Sequence, residues 1–312
     1  MQAYGVRGSS DEFTTIECAR GVERVATGFV NCYLVGTAGN WVLVDTGLPG
    51  CSALVHRAAD ALFGPDAVPK AIVLTHGHFD HAGNTNAIAA DLNIPVYAHD
   101  LERPYLDGRS DYPPGDPTIG GAIAQMSRAF PSSGRTVPTL KGLDGDRIPD
   151  MEGWRWIHTP GHTAGHISLF RESDGVLIAG DALTTMDLDS WTEQVKRTPQ
   201  FCVPPSPMTT DWEAARQSVL TLAALKPRVV AAGHGVPIAG AGVTDAMHRF
   251  AGRFTPPPHG RYVTTPAVAG PAGVEWVPPP VPDPLPKRAA GVAMVVVGAI
   301  GLAAAMRGRR RS

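Results

Sequence analysis

Three imidazoles and one carboxylate fall within six consecutive positions, His76-Gly77-His78-Phe79-Asp80-His81. Neutral imidazole is the commonest protein metal ligand, and carboxylate oxygen binds the same divalent ions. On extended backbone, residues two apart point the same way, so His76 and His78 can share one ion. Asp80 and His81, past the bend, can face a second. The competing reading is a polar turn that merely happens to be rich in histidine. Partners of the right type further along the chain weigh against it. His162 follows Gly161, Asp181 follows Gly180, and His234 stands between Gly233 and Gly235. Glycine carries no Cβ, so backbone and ion can approach closely at each of these places.

The elements that must position these groups are legible as short apolar runs. Residues 71–74, Ala-Ile-Val-Leu, read as a buried strand that ends where the histidine cluster begins. In open α/β sheets, ligands gather outside the carboxyl ends of strands. Strands are also expected over 154–159, 176–179 and 229–232, leading into His162, Asp181 and His234, and over 167–170. Upstream, residues 31–36 and 41–45 flank Thr37-Ala38-Gly39-Asn40, a hairpin signature. The second run ends in Val44-Asp45-Thr46-Gly47. Asp45 either caps the following helix or orients a metal-bound histidine or water from behind.

Helices are expected over 52–62, over 85–92 before Asn93 and Pro95, and over 119–130. Thr210-Asp211-Trp212-Glu213 reads as a capping box opening a helix that runs to about 225, before Pro227. Its Trp212, Val219, Leu222 and Leu225 form a core stripe. His99, at the end of a short strand over 96–99, reads as structural and not as a ligand. The insert over 103–130 either covers the site or is a plain surface excursion. Met186, Trp191 and Phe201, in a polar, proline-rich stretch over 183–208, line a pocket or anchor packing.

The chain has 312 residues, 18% charged and 43% hydrophobic, as a folded enzyme does and a disordered chain does not. A net charge of -2 gives no global basic field, which argues against nucleic acid and for a small-molecule substrate. Cys18, Cys32, Cys51 and Cys202 are scattered, without metal-type pairing, and read as small buried residues in a reducing compartment. Residues 1–12 lack a basic segment followed by an apolar one, so no secretory signal is expected there.

The set His76-x-His78-x-Asp80-His81, His162, Asp181 and His234 resembles the metallo-β-lactamase superfamily of binuclear metallohydrolases, as does Val44-Asp45-Thr46-Gly47. The resemblance spans roughly residues 20–245. It implies an α/β fold, the αββα sandwich, with metals at one edge between the sheets. It implies that His76, His78 and His162 hold one metal, Asp80, His81 and His234 the other, and that Asp181 bridges both. Two divalent ions, zinc foremost, are the implied cofactor. A bridging hydroxide is the implied nucleophile, attacking a carboxylic ester, lactone or thioester, with Asp80 managing the proton and Asp181 shared at the catalytic centre. His166 is read as a donor behind the ligands, and Asp45 as the orienter.

Within the family, residues 160–166 and Asp181 are similar to the glyoxalase II type. Two departures stand against a glutathione thioester. Ala82-Gly83-Asn84 replaces the usual glycine pair, and a proline-rich segment stands where that type has its helical glutathione-binding tail. Acyl-homoserine lactonases have a similar metal set. The alternative class of function is a non-catalytic binding or scaffold protein whose metals are structural.

Residues 251–288 read as a proline-rich linker without a core, on which Tyr262 or Trp276 could still dock. Residues 289–306 carry no charge and precede the basic tail 307–312, so they read as a short transmembrane helix anchoring a cytoplasmic catalytic domain to the cell membrane. The arginine-rich end prefers the cytoplasm as well, so the expected topology conflicts with itself. A soluble alanine-rich helix packed on the domain is the competing reading.

Overall fold

Alternation along the strands builds the molecule in layers. The computed structural model describes residues 6–7 and 15–283. One sheet holds β1 (Val6–Arg7), β2 (Thr15–Ala19), β3 (Val22–Thr27), β4 (Val30–Thr37), β5 (Asn40–Val44), β6 (Ile72–Val73), β7 (Val96–Ala98) and β8 (Leu140–Gly142), neighbours in that order. β4 and β5 pair as an antiparallel hairpin with Thr37 opposite Asn40. The two residues between them include Gly39 at φ 77°, a conformation the tight turn requires. From β5 to β8 the pairing is parallel. Parallel neighbours need crossovers. α1 (Ser52–Phe63) and α2 (Thr85–Leu92) supply two of them, and α2 stops at Asn93 in the left-handed conformation. The last crossover is the long insert, which carries α3 (Arg103–Leu106) and α4 (Ala122–Ser127).

The second sheet is formed by β9 (Trp154–His158), β10 (Ile167–Arg171), β11 (Val176–Gly180), β12 (Val229–Ala232) and β13 (Ile238–Ala239). A short α5 (Glu193–Lys196) follows β11, α6 (Trp212–Ala224) leads back to β12, and α7 (Val243–Gly252) follows β13. Tyr33, Val35, Val42 and Val44 face Ile167, Leu169, Val176 and Ile178 between the sheets. The intervening residues point outward. Leu34, Leu43 and Ile72 meet Val55 and Ala59 of α1 and Ile88 of α2. Phe170, Leu177 and Val230 meet Trp212, Val219 and Leu222 of α6 and Met247 of α7. Sheets covered on both faces read as near-continuous apolar runs, which is why every residue of β11 is buried. The result is the αββα sandwich.

Three expectations change. The helix expected over 119–130 shrinks to α4, because Gly120 and Gly121 take φ of 95° and 86° and break it from Ile119. The α6 cap is Asp211, whose carboxylate accepts from the Ala214 N–H at 2.9 Å, one residue later than the capping box suggests. The Thr210 hydroxyl instead donates to the His162 carbonyl at 3.3 Å. The third change concerns the proline-rich segment. Phe254 and Tyr262 are buried in the α6–α7 core, and the Tyr262 hydroxyl donates to the Pro114 carbonyl at 2.6 Å. Two aromatic anchors outweigh the stiffness of the prolines around them, so the described part of 251–288 is packed on the domain. It adds a hairpin of β14 (Val268–Gly270) and β15 (Gly273–Trp276), and Asp283 pairs with Arg128 at 2.8 Å. Tyr262 docks as anticipated; Trp276 stays 47% exposed. The segment 289–306 lies outside the described residues. Among the described residues no helix is long and apolar enough to cross a membrane.

Candidate metal centre

Each strand end delivers its group to one edge of the sandwich. The loop after β6 carries His76, His78, Asp80 and His81 from the first sheet. The loops after β9, β11 and β12 bring His162, Asp181 and His234 from the second. All seven side chains are buried. Their ligand atoms fall into three groups, each within 4.8 Å: His76, His78 and His162; His76, His81 and Asp181; Asp80, His81 and His234. Asp181 Oδ2 stands 3.3 Å from His81 Nε2, 3.5 Å from His162 Nε2 and 3.2 Å from His234 Nε2. Asp80 Oδ2 lies 3.6 Å from His234 Nε2. The carboxylate of Asp181 is therefore the point where the two halves meet.

The residues fit divalent ions on grounds internal to the site. His76 Nε2, His81 Nε2 and Asp181 Oδ1 are buried without a hydrogen-bond partner. Leaving such atoms unpaired costs about 1–3 kcal/mol each, and a cation among them satisfies all three. His78 Nδ1 and His162 Nε2 face each other at 3.0 Å. Gly233 leaves room beside Asp181 and His81: a Cβ there would stand 2.1 Å from Asp181 Oδ1 and 2.6 Å from His81 Cε1.

The electrostatics split along the same line. Burial and the crowd of neighbouring imidazoles push His76 and His162 well below the usual histidine range. Burial, aided by His81, takes His78 down to about 3. These three are neutral and offer lone pairs. Burial opposes protonation of His81 and His234 too, but Asp181 and the other carboxylates beside them outweigh it and raise both. Burial alone would raise Asp181; the imidazoles of His234 and His81 reverse that and hold it well below the carboxylate range. Asp80 is pushed up by burial.

The far sides of the His81, His162 and His234 rings are held by the fold. Asp45 sits at the end of β5 at φ 57°, a conformation costly for a residue with a Cβ. Its carboxylate accepts from the Thr75 N–H and hydroxyl, each at 2.8 Å, and lies 2.8 Å from His81 Nδ1. α1 has Cys51 at its N-cap position with no side-chain cap, so Asp45 does not cap that helix and its carboxylate meets Thr75 and His81 instead. His234 Nδ1 meets the Phe29 carbonyl at 2.8 Å, and His162 Nδ1 meets Thr209 Oγ1 at 3.3 Å. His166 lies behind the cluster, where its Nε2 accepts from the Asp181 N–H at 2.8 Å instead of donating. His99 is apart, stacked on His158 with ring centres 4.3 Å apart and capping the turn Asp100–Glu102.

One group escaped the sequence reading. Glu102 is fully buried. One carboxylate oxygen accepts from the Gly77 N–H at 2.9 Å and from the Tyr112 hydroxyl, the other from Thr163 Oγ1 at 2.6 Å and the Gly165 N–H at 3.1 Å. It thus ties the 76–81 loop to the 160–166 loop. The Tyr112 ring packs 4.5 Å from His78. Nothing local marks Glu102, since its partners lie 10 to 63 positions away.

The insert covers the site. Ile123 and Phe130 line a narrow cleft over the cluster together with Phe29, Phe79, Pro205 and Met208. Met186 packs against Ile123 beneath it, Phe201 joins the α6–α7 core, and Trp191 is 49% exposed.

The chain matches the family described as the Metallo-beta-lactamase superfamily over residues 25–234, a span that contains every one of the seven clustered side chains. It is 36% identical over 245 residues to the probable metallo-hydrolase YflN of Bacillus subtilis, covering 77% of this chain and 93% of that one. It is 29% identical over 160 residues to the probable metallo-hydrolase YybB of the same organism, covering 51% and 64%. Among solved structures it is similar to a B3 metallo-beta-lactamase with an active-site glutamic acid, with a TM-score of 0.50 and 20% identity over 75% of this chain and 85% of that one, a likeness of fold. From the layered sheets, the clustered imidazoles and the family match together, the chain belongs to the metallo-beta-lactamase superfamily.

Proposed function

We propose that this protein is a metal-dependent hydrolase of carboxylic esters, lactones or thioesters that holds two divalent ions, zinc foremost. The observation that supports it most is the convergence of two ligand groups, each short of a full shell, on the single carboxylate of Asp181. His76, His78 and His162 would hold one ion, Asp80, His81 and His234 the other, and Asp181 would be shared. Bound there, such ions polarise a carbonyl and bring water within reach of ionisation near neutral pH.

The chain's own residues do the rest. Asp45, at 2.8 Å, takes the Nδ1 proton of His81 in a hydrogen bond and so turns its Nε2 toward Asp181. The Phe29 carbonyl does the same for His234. Asp80, raised by burial and lining the cleft, can accept a proton at Oδ2 and return it to a leaving oxygen or sulfur. Phe79, Phe130 and Met208 border the reacting groups with apolar surface. The apolar run 289–306, followed by arginines, supports attachment to a membrane, which flotation of the full chain with lipid vesicles would test.

The deciding experiment measures bound metal per chain and then turnover of p-nitrophenyl esters, lactones and thioesters, with a chelator as control. Two ions per chain and chelator-sensitive turnover of at least one class are expected. Retained metal with no turnover of any class would favour a non-catalytic binding protein of the same fold.

A further inference from the structure

The polar side chains lining the cleft are His78, Asp80, His162, Asp181 and His234, all of them members of the metal cluster. The remaining walls are Phe29, Phe79, Ile123, Phe130, Pro205 and Met208. Among the described residues, no lysine, arginine, serine or asparagine lines it to recognise a charged or polar substituent. The aromatic walls are organised: Phe29 stacks on His234 with ring centres 5.8 Å apart and an 11° interplanar angle, Phe130 stacks on Phe29 at 6.5 Å, and Phe79 meets Phe130 at 5.2 Å. These three phenylalanines are only half-buried, so part of an apolar wall opens toward solvent beside the reacting groups.

We infer that the acyl group hydrolysed here is neutral and lipophilic, a hydrocarbon chain carried against Phe29, Phe79 and Phe130. This rests on the reading of the site as an ester, lactone or thioester hydrolase and names its substrate class. Among the described lining residues none is a lysine or arginine to meet a second carboxylate on the substrate, and placing that charge among phenylalanines costs its hydration. A hydrocarbon chain gains from the same walls. Each methylene it buries is worth about a threefold to fourfold gain in affinity, up to the length the wall can cover. Ile123 and Phe130 come from the insert and Met208 from the loop before α6, whereas Phe29 lies in the β3–β4 turn and Phe79 in the histidine loop after β6.

The test has two readouts. In the first, the chelator-treated protein is titrated by calorimetry with butanamide, hexanamide and octanamide, and with succinamate as the carboxylated control. In the second, the metal-loaded protein is assayed on p-nitrophenyl acetate, butyrate, hexanoate and octanoate, and on the monosuccinate ester. Amide affinity should rise about threefold per methylene with succinamate weakest, and kcat/KM should rise along the ester series. Phe130→Ala and, separately, Phe29→Leu should flatten both slopes at least twofold per step. Flat slopes in the native protein, or a preference for succinamate and the monosuccinate ester, would overturn the inference. If the amide slope appears while no ester, lactone or thioester is turned over, the lipophilic cleft stands and the hydrolase reading fails.

Discussion

Asp181 and His99 both carry side-chain types that can bind a metal, yet their surroundings assign them opposite weight. Asp181 has three imidazole nitrogens within 3.5 Å. Asp181→Ala removes the one carboxylate both ligand groups share, and should cost at least one bound ion per chain and a hundredfold or more in kcat/KM, read by metal analysis and steady-state kinetics. His99→Gln should leave metal content at the native level. It should change acid stability instead. Burial, with the stacked His158 ring beside it and against the pull of Asp100, takes His99 down to about 4. The Trp156 ring closes the other contact, at 5.5 Å. The unfolded chain has the higher histidine pKa and binds the proton first, so the stability held on this account is whole above about pH 6.5 and drains as pH falls toward 4. The loss of urea midpoint between pH 7 and pH 4.5 should be smaller in His99→Gln than in the native protein. An equal loss in both would show that His99 does not carry that slope. All seven clustered side chains were legible in the sequence because their types are rare together and glycines flank them. The role of Asp45 was undecidable there, since capping and orienting use the same carboxylate at the same strand end.

At the scale of elements, the site depends on loops from two sheets keeping one register. The sequence makes the strands legible because each is an apolar run of the right length, from 71–74 through 229–232. It leaves unmarked what joins their ends. Glu102 is that joint, with one oxygen on the Gly77 loop and the other on the Thr163–Gly165 loop. A lone glutamate in a polar turn looks like a surface residue until the partners are seen. Burial pushes its carboxyl up, while the hydrogen bonds from Thr163, Tyr112, Gly77 and Gly165 pull the other way. Glu102→Gln keeps the shape but presents an amide NH₂ to donors on one side, leaving a buried N–H unpaired at about 1–3 kcal/mol. The variant should lose about tenfold in affinity for the metal ions, measured by competition with a chromophoric chelator. A lower melting temperature with unchanged metal affinity would mean that Glu102 supports the fold and does not position the ligands.

Across the whole molecule, the segment that reads most like a spacer is part of the body. Prolines at 256–258, 266 and 271 hide its role in the sequence, because a proline-rich composition describes stiffness and not what the intervening aromatics touch. Tyr262 is 1% exposed, reaches Pro114 of the insert through its hydroxyl, and packs in the core that carries α6. The Arg261 N–H is bonded to Asp116 of the same insert, and the Ala267 N–H donates to the Thr210 carbonyl at 3.0 Å, beside the His162 loop. The segment therefore braces both the insert that roofs the cleft and the loop that supplies His162 to the histidine cluster. Ending the chain at residue 255 would strip that brace and expose the α6–α7 core. Tyr262→Ala, the milder change, removes a buried aromatic ring at a cost of about 3–5 kcal/mol. Its melting temperature should drop by several degrees, and the drop should be accompanied by weaker metal retention, because the insert and the His162 loop lose a common support. A stable, fully metal-loaded Tyr262→Ala protein would return the segment to the status of a linker and leave the insert to hold its own place over the cluster.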